Sequence, residues 1–248
     1  MIKLNRPAKP LLLEQNEAQL VTKYKATKAA VWKKDYIVEP LMKMSNNKCA
    51  YSEVKLGSKS NYVEVEHFRH KDLYPDEVVS WSNLLPSCKT CNDAKGTWDV
   101  VAFPIVDPTI DDPKDHLFIS HCRFYKKTEV GDTTIKKVAL NDRSQFVDSR
   151  SVICNQIIEN IEYDYESLKD ADTDLKKSIR CRKLKQSFKE GMPDKEFSAT
   201  IATAITVEFP LYKEIIDYLK SNGYWDEDFK TIIGTLEEIA LPPPEHIR

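Results

Sequence analysis

No apolar run in this 248-residue chain approaches the roughly 20 residues that a membrane span needs. The first seven residues carry a few charges, but no apolar segment of signal-peptide length follows them. Both absences predict a cytoplasmic chain with no membrane partner. A basic excess is missing too: 37 Lys and Arg face 39 Asp and Glu, for a net charge of −2. Bulk charge therefore excludes a protein that holds nucleic acid by electrostatics alone. There is no internal repeat and no low-complexity tract, which excludes solenoids and arrays. Nor is there a disulfide pattern. In a reducing compartment the six cysteines are read as thiols, and Cys122, Cys154 and Cys181 stand alone in sequence as small buried side chains.

The composition that is present supports a folded core, since 41% of residues are hydrophobic. Charge is unevenly spread: residues 1–48 balance at +6, 49–100 at −2, 101–144 at zero and 145–248 at −6. Four regions follow. Residues 1–48 read as an extended arm carrying Leu11, Leu12 and Leu13 as an anchor, a helix over about 14–34, and a second helix over 38–45 that Asn46 and Asn47 end. Residues 49–100 hold the motifs, with a strand at Tyr62-Val63-Glu64-Val65-Glu66. Residues 101–144 hold a loop rich in proline and aspartate, then a hairpin pairing 122–127 with 134–139 across Gly131-Asp132. Residues 145–248 read as a helical bundle that Pro242-Pro243-Pro244 stops. The fold class is α+β, with a small motif module set between N-terminal helices and the C-terminal bundle.

Three clusters carry chemistry: Cys49-Ala50-Tyr51-Ser52, then Glu66-His67-Phe68-Arg69, then Asn83-Leu84-Leu85-Pro86-Ser87-Cys88-Lys89-Thr90-Cys91-Asn92-Asp93-Ala94-Lys95. Hydrolysis of a phosphodiester needs a base that titrates near neutrality, which histidine provides, and a divalent ion to offset charge on the phosphoryl and leaving oxygens. Mg²⁺ or Mn²⁺ prefers oxygen donors and keeps several waters, so Glu66 and the amide oxygen of Asn92 would suffice. Neighbours on a strand point to opposite faces, so Glu66 and His67 can share a site only if the strand ends there. Cys88-Lys89-Thr90-Cys91 reads as metal-binding, because the βαβ setting of a redox motif is missing. Taken singly, His67 could equally be a satisfied structural histidine, and Arg69 could pair with Asp72 rather than contact phosphate. His70, His116, His121 and His246 have no motif around them.

The ordered set resembles the HNH, or ββα-metal, nuclease family. The resemblance implies two strands and a helix, with His67 as general base, Glu66 and Asn92 as ligands of one divalent metal, Asn83 as a catalytic-loop brace and Lys95 as a phosphate contact alongside Arg69. It also implies a structural Zn²⁺ on Cys49, Cys88 and Cys91, but Ser52 stands where a fourth sulfur is expected. His70 is the one neighbouring substitute. Ile2-Lys3-Leu4-Asn5-Arg6-Pro7, Trp81-x-Asn83-Leu84-Leu85-Pro86-Ser87-Cys88 and Asp112-Pro113-x-x-His116-Leu117 further resemble the HNH subunits of Septu-type and retron-associated antiphage systems. That likeness covers about the first 140 residues. It implies an effector nuclease beside an ABC-like ATPase subunit, which would lend the grip on nucleic acid that this chain's charge does not. DNA is the implied substrate. A tRNA-cutting nuclease, or a vestigial module that only docks on a partner, remain the alternatives.

Overall fold

The computed structural model describes residues 1–57 and 62–245. His246 lies outside them. The chain divides into two compact units, Met1–His116 with Lys126–Asn141, and Leu117–Tyr125 with Asp142–Arg248. Helices predominate over two small sheets, so the α+β class holds.

In the first unit the N-terminal arm is extended, as its prolines imply, but it is fastened by Arg6 rather than by leucines. Arg6 donates to the carbonyls of Trp81 and Leu84 at 2.6 and 2.8 Å, while Trp81 Nε1 donates to the Pro7 carbonyl. Helix α1, Leu11–Thr27, begins directly after Pro10, and only Leu13 of the three leucines is buried. It stops short of the expected residue 34 because Lys28 turns left-handed, its N–H donating to the Tyr24 carbonyl. Val31 and Trp32 therefore reach the core from a turn. Helix α2, Asp35–Met44, ends ahead of Asn46 and Asn47, both at positive φ. Leu20, Tyr24, Trp32, Ile37, Leu41, Val65, Val79 and Leu84 belong to one buried cluster.

Strands β1, Glu64–His67, and β2, Leu84–Ser87, pair antiparallel with His67 opposite Leu84 and Glu64 opposite Ser87. Helix α3, Lys89–Lys95, follows β2 at once and closes on Gly96 at φ 50° and ψ −126°, a conformation that glycine tolerates best. A one-turn helix α4, Pro113–His116, leads toward α5, Glu129–Lys137. The expected second hairpin strand at 134–139 is thus largely helical. Thr128 caps α5 by accepting from Gly131 N–H, and acids in the first turn with lysines in the last suit the helix dipole.

The hairpin exists in the second unit, displaced toward the N-terminus: β3, Leu117–Ser120, and β4, Arg123–Lys126, joined by His121 and Cys122. Both linking residues have positive φ, 49° and 61°, the backbone of a tight two-residue turn without its usual Asn-Gly signature. Helices α6, Asp148–Lys169, α7, Asp174–Lys189, α8, Ser198–Thr203, α9, Tyr212–Ser221, and α10, Glu227–Ile239, complete the unit. Its core encloses the Arg150 guanidinium among the rings of Phe124, Phe146 and Phe197. No helix among the described residues is long and apolar enough to cross a membrane.

Candidate functional site

The site is built on the ends of β1 and β2 and on α3. Strand β1 ends at His67, as the sharing of one site by Glu66 and His67 requires. Both residues, with Asn92 of α3, border a single cavity of about 460 Å³. The chain then loops from Phe68 to Asn83, and Asn83 holds that loop shut. Its Oδ1 accepts from the Arg69 N–H at 2.7 Å, and its Nδ2 donates to the carbonyls of Arg69 and Glu77 at 3.0 and 3.1 Å. One amide thereby satisfies three backbone groups that no strand partner could reach.

His67 is 4% exposed. Its Nε2 lies 2.9 Å from the Val78 carbonyl, and a carbonyl only accepts, so Nε2 carries the proton and Nδ1 the lone pair. Trp32 meets the ring edge-on at 4.6 Å. Burial, and then the nearby Lys71, push the imidazole down to about 3, so the ring is neutral across the physiological range. Glu66 is pushed the other way, up to about 7, because burial outweighs the attraction of Lys95. Lys95 Nζ sits 2.5 Å from Glu66 Oε1 as an ion pair, yet that oxygen has no well-formed hydrogen bond. The half-buried Asn92 amide makes no internal hydrogen bond among the described residues. One under-satisfied carboxylate and one free amide oxygen at the rim of a roomy cavity form a donor set that fits a hard divalent ion.

Lys95 and Arg69 stand apart from the other candidate residues. Lys95 does not face solvent. Its side chain is fully buried and donates to the His67 carbonyl at 2.9 Å as well as pairing with Glu66, which ties α3 to β1. Arg69 pairs with Glu77, not Asp72, and does not line the cavity. The cations that do line it are Lys33 and Lys71, neither in an ion pair among the described residues. His70 lines it as well, its Nδ1 accepting from Asp72 N–H, which leaves an Nε2–H donor. Trp32, Lys33 and Lys71 carry no motif that marks them in the sequence, and His70, a candidate there only for zinc, belongs to this cavity instead. The signal available was the run of three bases Arg69-His70-Lys71 directly after the Glu66-His67 pair.

Cys49, Cys88 and Cys91 form a separate cluster, and none of them lines this cavity. The turn 48–55 is closed by an antiparallel bridge from Lys48 to Lys55 and by Cys49 N–H to the Val54 carbonyl, and Ala50 N–H donates to Pro86, which fixes the turn against β2. Cys88 caps α3 and Cys91 is in its first turn, so the Sγ atoms of Cys49, Cys88 and Cys91 fall within 4.8 Å of one another, all buried. Ser52 Oγ is 3.6 Å from Cys88 Sγ. Burial opposes ionisation of Cys49, but hydrogen bonds from Cys88, Cys91 and Ser52 outweigh it and hold its thiol well below the ordinary range. Cys88, which gives up that bond, is pushed up to about 12. Tetrahedral zinc–thiolate geometry sets sulfurs roughly 3.8 Å apart, so the three sulfurs are close enough to take three corners. His70 is not in this cluster.

No family model matches the chain. It is 36% identical over 251 aligned positions to the Septu protein PtuB of Bacillus thuringiensis, covering 98% of this chain and 96% of that protein. It is 26% identical over 264 positions to the Septu protein PtuB of Bacillus mycoides (strain KBAB4), covering 88% and 84%.

Proposed function

We propose, from the premise that this chain belongs to the Septu PtuB family, that it is an HNH-type, metal-dependent nuclease serving as the effector of an antiphage defence complex. The observation that carries the reading is the convergence of Glu66, His67 and Asn92 on one cavity rimmed by Lys33 and Lys71. Glu66 and Asn92 would hold Mg²⁺ or Mn²⁺, which when bound supplies charge stabilisation for the phosphoryl group and the leaving oxygen. His67 Nδ1 takes the proton of the attacking water. Its carbonyl-bound Nε2 and the edge of Trp32 keep the ring from rotating, which fixes the direction of transfer. An incoming phosphate anion offsets the field of Lys71 and raises the proton affinity of the ring when transfer occurs. Lys33, Lys71 and the His70 Nε2–H bind the non-bridging oxygens.

Plasmid DNA incubated with the purified chain and Mg²⁺ or Mn²⁺, with and without its ABC-like ATPase partner, is expected to be cut, most strongly with the partner present. Degradation of tRNA in place of plasmid would make the substrate RNA. Intact plasmid and tRNA in every lane would leave only a docking role and defeat the proposal.

A structural Zn²⁺ on Cys49, Cys88 and Cys91, with Ser52 as the weak fourth ligand, is the second part of the reading. Protein washed with EDTA should retain about one zinc per chain, and Ser52→Cys should slow its loss to a stronger chelator by about tenfold or more. Zinc near zero in both proteins removes the site.

A further inference from the structure

The acidic half of the chain hides a strongly basic helix. Residues 145–248 carry 14 Lys and Arg against 20 acids, yet seven of those cations fall within the 16 residues of α7, beside one acid, Asp174. A solvated helix face would ordinarily mix signs at i and i+4. Four of the cations are paired to carboxylates from neighbouring segments: Lys176 to Asp172, Arg180 to Asp164, Lys185 to Asp226, and Lys189 to Asp228. Lys177, Arg182 and Lys183 are in no ion pair among the described residues.

Lys177 and Arg182 line a groove of about 620 Å³. Ser178 and Gln186 add neutral donors between them, and Gly223 and Tyr224 also line it. The carboxylates of Asp226 and Asp228 are engaged by Lys185 and Lys189, and Asp174, which also lines the groove, is the one acid there in no ion pair among the described residues, so Lys177 and Arg182 leave a net positive charge along the middle of α7. The half-buried Tyr224 ring stacks on Tyr218 with centroids 6.3 Å apart and planes at 22°, which stiffens it.

We infer that this groove binds a single-stranded segment of nucleic acid, with backbone phosphates on Lys177 and Arg182 and an unpaired base against Tyr224. A charged row alone would accept any polyanion. An aromatic ring beside it in a groove favours a strand whose bases are free to stack over a duplex or an acidic protein. The inference rests on the nuclease reading for the identity of its polyanion and adds the form in which the substrate is held.

Binding of a fluorescein-labelled 20-nucleotide single strand to the full chain, read by anisotropy in EDTA and low salt, requires no cleavage. Lys177→Ala with Arg182→Ala should weaken it about tenfold or more and flatten the plot of log K against log salt by about 1.4, two phosphate contacts' worth. Tyr224→Leu should cost the single strand about fivefold or more and leave a duplex of the same sequence unaffected. A control pair, Lys23→Glu with Lys34→Glu on exposed positions, should change affinity less despite its larger change in charge. Unchanged binding in the α7 variants, or equal loss for duplex and single strand in Tyr224→Leu, overturns the groove. So does a poly-glutamate chain that competes as well as the oligonucleotide. Failure here with plasmid cleavage intact removes the groove and leaves the nuclease reading; intact oligonucleotide binding without any cleavage does the reverse.

Discussion

Replacing His67 with alanine should cut phosphodiester cleavage by about two to four orders of magnitude, the usual worth of a positioned general base. The ring is neutral at working pH because burial and Lys71 hold it so, and its lone pair lies on Nδ1 because the Val78 carbonyl claims the other proton. His70 has its Nδ1 occupied by Asp72 N–H, and Glu66 is ion-paired with Lys95. The alanine also removes a ring that packs on Trp32, so a loss of activity alone could reflect a loosened core. His67→Gln separates the two effects, since its amide fills most of the space and can still donate to Val78. Both variants should keep their circular dichroism spectrum, and both should lose cleavage with little change in KM for the oligonucleotide. Cutting at the rate of the parent protein by either one would overturn the assignment of the base.

Much of this site was legible because its chemistry is local in sequence. Glu66 and His67 are adjacent at a strand end, and Asn83 precedes β2 by one residue. Cys88 and Cys91 are spaced so that one helical turn brings both sulfurs to the same side. What escaped reading depended on direction or on distant contacts. Lys95 is four residues after Cys91, hence on the same buried face of α3, and that periodicity argued against a solvent-facing phosphate contact. Trp32 and Lys33 come to the cavity from a turn more than thirty residues upstream, and no local pattern announces it. The hairpin was misplaced because its turn uses His121 and Cys122 in left-handed backbone, where sequence rules look for asparagine and glycine. The basic character of α7 vanished in a regional sum dominated by acids that mostly lie elsewhere in the unit.

The largest loss of stability should come from Lys95→Met. Its ammonium is wholly buried, ion-paired with Glu66 Oε1 at 2.5 Å and donating to the His67 carbonyl at 2.9 Å. Methionine matches the length of the chain but leaves a carboxylate that is 3% exposed without its counter-charge. Removing one partner of a buried pair costs about 3–5 kcal/mol, far more than the net worth of the pair, because the carboxyl left behind must stay charged and desolvated or take up a proton. Urea denaturation should show a lower midpoint, the shift multiplied by the unchanged slope giving that free energy. Glu66→Gln combined with Lys95→Met, which removes both charges, should recover a large part of the loss. If Lys95 instead served as a surface phosphate contact, the single variant would melt like the parent and lose only substrate affinity. That outcome would restore the role its sequence position first suggested and would require Glu66 to be held in place by something other than this lysine.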